Sequence, residues 1–226
     1  MSMGKRLAGV LSFFVVAAAL VVWAVTTLIT PGSPGGVVDF TSAQTAGTPV
    51  NLTLMTVGSI GFGSHPTWVS YMVKSPDGQW EHSTVWDLPA NSTINVTVEQ
   101  FDSGSPLRNQ VLGQVTGTVG DSAVLNGKTY SQYNSNTGFG VAHTFAVPAL
   151  GIEVPFIGVD GSLTLCGVAP CKLSQPHNTI TFSFKTHGPG SYSWQCFVPC
   201  GLGYLYGNGG PMSTQGYMGG FLNVES

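Results

Sequence analysis

Period-two alternation constrains this chain most. VNLTLMTV (50–57) and TINVTVEQF (93–101) place apolar residues at every second position. That spacing suits a strand with one face on a core and does not suit a helix. TWVSYMV (67–73), VAHTFAV (141–147), NTITFSFKT (178–186), SYSWQCFV (191–198) and GFLNV (220–224) add further β-branched and aromatic runs. Turn signals lie between them: PDG at 76–78, PANS at 89–92 and GPG at 188–190. No segment after residue 30 carries a 3.6-residue period over a helical length. Many short strands joined by glycine-rich turns predict an all-β, Greek-key sandwich. The 31 glycines are spent on those turns and support no phosphate-binding loop.

The N-terminus is different in kind. Leu7 to Thr30 is a run of 24 residues without a charge, preceded by Lys5 and Arg6. About 20 apolar residues cross a bilayer core, and a cleaved signal's apolar region is only ~7–15 residues, so the run predicts a retained transmembrane helix. The basic flank puts the N-terminus in the cytoplasm and the rest of the chain outside the cell membrane, as a single-pass protein. The expected organisation is an anchor over 1–30, a Pro/Gly linker over 31–36 and one extracytoplasmic domain over 37–226. A Gly-, Ser- and Asn-rich stretch at about 102–140 reads as an insertion or flap, with a hairpin of its own at Asn126-Gly127.

Leaving Lys5 and Arg6 aside, five basic residues face ten acidic ones, a net of −5. No basic patch exists, which excludes nucleic acid as a partner. No Ser/His/Asp set or paired-carboxylate site stands out, so no catalytic residue is assigned. All four cysteines fall in the last third, as Cys166-x4-Cys171 and Cys196-x3-Cys200. In an oxidising compartment such pairs form disulfides or bind metal. For Cys166 and Cys171 the expectation is a disulfide stapling a loop. For Cys196 and Cys200 both readings stay open.

Two motifs sharpen the choice. HTFAVPALG (143–151) is followed by PGSYSWQCFVPCG (189–201). Together they resemble the extracytoplasmic domain of subunit II of haem–copper oxidases, a cupredoxin. HPTWVSYMV (65–73) and WDLPANSTINVTV (86–98) resemble that family more weakly. The resemblance implies a cupredoxin sandwich in which His143, Cys196, Cys200 and Met218 are copper ligands. Copper in such a site needs soft sulfur donors and imidazole held in a fixed geometry.

The resemblance also has a gap. The family places a second histidine three residues after the Cys-Gly, where this chain has Tyr204, and no histidine follows His187. Val198 stands where the family has a carboxylate. The copper centre is thus expected to be modified or lost, with Gln215 or His187 as substitute ligands, or with Cys196 and Cys200 paired as a disulfide. The function implied is a non-catalytic electron-entry and docking subunit. Its partners would be a haem–copper oxidase core subunit in the membrane and an external electron donor or a quinol. The alternatives are a stand-alone membrane-tethered cupredoxin carrying electrons or copper, and a metal-free extracellular domain held by disulfides.

Overall fold

A computed structural model describes residues 3–24, 36–42, 48–201, 210–212 and 214–226. Contacts divide the chain into two units, Met1–Pro31 and Gly32–Ser226. The first unit contains a helix, α1 (Met3–Ala24), on which Val10, Phe13, Phe14 and Leu20 are exposed. Among the described residues no helix is long and apolar enough to cross a membrane. The expected span over Leu7–Thr30 is therefore not shown. Its last six residues, 25–30, lie outside the described residues, as does most of the 31–36 linker.

The second unit is mostly β, a sandwich of two sheets. In spatial order, one sheet joins β1 (Val38–Asp39), β5 (Val85–Pro89), β13 (Gly219–Glu225), β12 (Gly190–Gln195), β9 (Val141–Val147) and β10 (Ile152–Ile157). The other joins β4 (Trp80–Glu81), β3 (Ser70–Lys74), β2 (Val50–Val57), β6 (Thr93–Gln100), β11 (Asn178–Lys185), β7 (Ala123–Leu125) and β8 (Lys128–Tyr130). Parallel pairs, β2 with β6 and β13 with β5, sit among antiparallel ones, so the chain crosses between sheets instead of meandering.

The alternation in sequence becomes two-faced strands. In β6 every second residue, from Ile94 through Val96 and Val98 to Gln100, is buried. In β11, Ile180, Phe182 and Phe184 do the same from the neighbouring strand. Between the sheets lies an aromatic stack. Trp86 and Trp194 are parallel at 4.9 Å, and Tyr71 meets Trp194 edge-on at 4.8 Å. Large rings buried at such distances carry much of a core's stability.

β9 is the exception to two-faced burial, because all seven of its residues are buried. The stretch read as a flap explains why. Ser105 bridges to Val141 and Thr116 bridges to Glu153, which lays this stretch against the β9–β10 edge. The Asn126-Gly127 turn, with both φ angles positive, closes the β7–β8 hairpin, and β7 pairs with β11. Residues 123–130 of the stretch are thus built into the second sheet. The first part of the stretch covers the strand that carries His143.

Candidate metal centre

The centre forms where β9 meets the end of β12. His143 is the third residue of β9 and is 1% exposed. Gln195, the last residue of β12, pairs with Ala146 on β9 and with Gly219 on β13. The next residue, Cys196, donates its amide to the Met218 carbonyl at 2.9 Å. That bond brings the start of β13 beside the cysteine loop, and both Cys196 and Met218 are fully buried.

His143 Nδ1 lies 3.1 Å from Cys200 Sγ, and the two sulfurs of Cys196 and Cys200 lie 3.6 Å apart. Both cysteines are free thiols in this structure. The nitrogen and the two sulfurs all fall within 4.8 Å of one another. Soft sulfur and imidazole donors at that separation fit a single small metal ion such as copper.

The loop is held open by hydrogen bonds of its own. The Thr144 amide donates to Cys196 Sγ at 3.3 Å, and the Phe197 amide donates to Thr144 Oγ1 at 2.8 Å. Cys200 Sγ lies 3.6 Å from the Ala142 carbonyl. Burial opposes ionising Cys196, but hydrogen bonds from Cys200, His143 and the Thr144 amide outweigh it and hold its thiol well below the usual range. The same thiolate, together with burial, pushes Cys200 up. Cys196 is thus the more readily ionised of the two sulfurs.

Burial also disfavours the charged imidazolium of His143. Asp102 and Cys196 overcome that effect and raise its pKa to about 9. The Asp102 carboxylate lies 3.2 Å from His143 Nε2, on the side of the ring away from the sulfurs. The contact is close but poorly directed, and Nε2 makes no well-aligned hydrogen bond. Tyr71 is buried beside the site, and its hydroxyl donates to the Thr144 carbonyl at 2.9 Å. Burial, followed by the two cysteines, raises its pKa well above the ordinary value and keeps it protonated. A cavity of about 650 Å³ opens onto His143, Cys200 and Asp102, with Trp68 on its wall.

Of the residues singled out in the sequence, the fold brings His143, Cys196 and Cys200 together and sets the Met218 backbone against Cys196. Gln215 lies in the turn before Met218 and is partly exposed. Tyr204 falls outside the described residues. His187 is not brought to the site. It is exposed, and its carbonyl accepts from the Asn91 amide at the end of the sandwich where β12 begins. Six residues of extended β12 separate that end from Cys196, roughly 20 Å, too far for a substitute ligand. Cys166 and Cys171 form a disulfide.

Asp102 is the residue that sequence reasoning missed. It lies 41 positions before His143, at the edge of a stretch read as an insertion. No motif or spacing singles it out.

Known structures similar to this chain include copper proteins. Rusticyanin from Thiobacillus ferrooxidans matches at 17% identity and a TM-score of 0.34, covering 86% of each chain. A further rusticyanin structure matches at 20% identity and a TM-score of 0.35, covering 86% of this chain and 87% of that one. The periplasmic domain of cytochrome oxidase subunit II from Bradyrhizobium japonicum matches at 17% identity and a TM-score of 0.30. That match covers 77% of this chain and 84% of the domain. No family model and no curated protein matches the chain.

Proposed function

We propose that this chain is a membrane-tethered, subunit-II-like cupredoxin that binds copper and passes electrons at the outer face of a haem–copper oxidase. The observation that carries the reading is the buried cluster of His143 Nδ1, Cys196 Sγ and Cys200 Sγ, within 4.8 Å of one another and with the two sulfurs unbonded. His143, Cys196 and Cys200 would hold the ion, with Met218 as the fourth, softer donor. Copper supplies a one-electron change between its two common oxidation states. The protein's own part is to keep the donors fixed. β9 and β12 anchor His143 and Cys196 in one sheet, while Trp194, Tyr71 and Thr144 close the space around them.

The second histidine of the family has no counterpart here, which supports a centre of altered nuclearity in place of the family's binuclear one. The uncharged run from Leu7 to Thr30, preceded by Lys5 and Arg6, supports a tether. The oxidase core, in this reading, is the partner chain.

The test uses the full chain, purified in detergent under reducing conditions and supplied with cuprous or cupric ions. Stoichiometric copper, with a thiolate-to-copper absorption band and no free-thiol titre at Cys196 and Cys200, is the expected result. A chain that takes up no copper, or that isolates with a Cys196–Cys200 disulfide, would sink the metal reading. Co-purification of a haem-bearing membrane complex tests the docking role, and isolation of the copper-loaded chain alone would instead favour a stand-alone carrier.

A further inference from the structure

We propose that Asp102 is the positioning residue of His143, a carboxylate beside Nε2 that sets the ring's orientation so that Nδ1 faces the two sulfurs and a bound ion. The inference rests on the copper reading for its purpose, but not for its geometry. Imidazoles that bind metal usually donate their other ring N–H to a carboxylate or carbonyl, which fixes both tautomer and ring orientation. Here the ring stands between the two groups, with Cys200 Sγ 3.1 Å from Nδ1 and Asp102 Oδ2 3.2 Å from Nε2.

The carboxylate has a seat of its own. Gln100 is fully buried at the end of β6 and clamps the Asp102 backbone at both ends. Its Oε1 accepts the Asp102 amide at 2.9 Å, and its Nε2 donates to the Asp102 carbonyl at 2.8 Å. Thr56 on β2 donates to the same Oε1 at 2.7 Å and fixes the amide's orientation. The Ser103 amide donates to Asp102 Oδ1 at 2.8 Å, which leaves Oδ2 for the histidine. Gly58 makes the space, because a Cβ there would stand 2.6 Å from Oδ1. Four residues from two segments, 56–58 and 100–103, thus build the seat of one acid whose second oxygen lies beside His143 Nε2. An unselected surface aspartate has no such enclosure.

The experiment compares the full chain with Asp102→Ala, Asp102→Asn and Gly58→Ala variants, using copper as the probe and a competing chelator to read affinity. Asp102→Ala should weaken copper binding by about 10–100-fold, the range for loss of such a partner. Asp102→Asn keeps an oxygen acceptor and should recover part of that loss. Gly58→Ala leaves the acid intact but crowds its seat, and should change affinity in the same direction as Asp102→Ala. A second readout needs no metal: the ring ¹⁵N spectrum of histidine-labelled chain should show a His143 Nε2–H that exchanges slowly in wild type and faster in Asp102→Ala. Copper affinity of Asp102→Ala within about twofold of wild type, with an unchanged Nε2–H signal, overturns the proposal. Should wild type bind no copper, the function proposed above fails, and the Nε2–H comparison alone still decides the role of Asp102. Should Asp102→Ala not fold, the same readings on Asp102→Asn and Gly58→Ala decide it.

Discussion

Two cysteine pairs of nearly equal spacing lie within 35 residues of each other, and the fold treats them in opposite ways. Cys166 and Cys171 are joined, with Cα atoms 5.8 Å apart. Their loop leans on the second sheet, through an Ala169 amide bonded to the Ile60 carbonyl and a Cys171 amide 3.2 Å from Met55 Sδ. Cys196 and Cys200 stay apart, with an imidazole on one sulfur and a backbone amide on the other. Spacing alone does not separate the two outcomes. What differs is what surrounds the sulfurs, since an imidazole and a backbone amide beside the second pair lower a thiol's pKa.

The sharpest way to break this comparison is to exchange the roles of the pairs. Cys196→Ser should abolish stoichiometric copper, read by elemental analysis of the purified chain. A variant that keeps full copper would show that the second pair is not the metal pair. Next in size is Trp194→Ala, which removes the ring between Trp86 and Tyr71 two positions before Cys196. It should cost about 3–5 kcal/mol in chemical denaturation, as large buried rings do. Loss of less than about 1 kcal/mol would mean that the cysteine loop does not hang on the core. Third, the double variant Cys166→Ser/Cys171→Ser should lose about 2 kcal/mol, the value for opening so short a loop, while copper content stays unchanged. Loss of copper in that variant would erase the distinction between the pairs.

The strands that the sequence showed best are those with one buried face. β6 reads plainly because TINVTVEQ alternates and is half exposed. β10 was not legible in the sequence, because IEVPFI has Pro155 inside it, and proline usually argues against a strand. The structure resolves this, since β10 is the edge of its sheet and Pro155 need not donate outward. His143, Cys196 and Cys200 were legible through their motif, and the fold brings them together. His187 was misjudged for a simple reason: nearness in sequence to Cys196 becomes distance once β12 is extended. Asp102 was invisible because its role depends on a cross-sheet approach to His143 and on room left by Gly58. Neither leaves a mark in local pattern.

The smallest effect probes whether Cys196 is the sulfur that ionises. Glu153, the β10 residue paired with Ala146, has Oε1 buried without a hydrogen-bond partner. Burial raises its pKa above 4.5, and the Cys196 thiolate raises it further. A raised carboxyl means that the folded chain keeps a proton the unfolded chain gives up above about pH 4.5. Stability from this group is therefore complete below that pH and is lost as pH rises through the folded pKa. Glu153→Gln cannot ionise, so its melting temperature should match wild type near pH 4 and exceed it near pH 7. A gap that is the same at both pH values would refute this account. In a Cys196→Ser background the neutral-pH gap should shrink, because the second cause of the shift is gone. The same substitution at Cys171, whose sulfur carries no charge in its disulfide, should leave the gap as it was, and that contrast reads the difference between the two pairs directly.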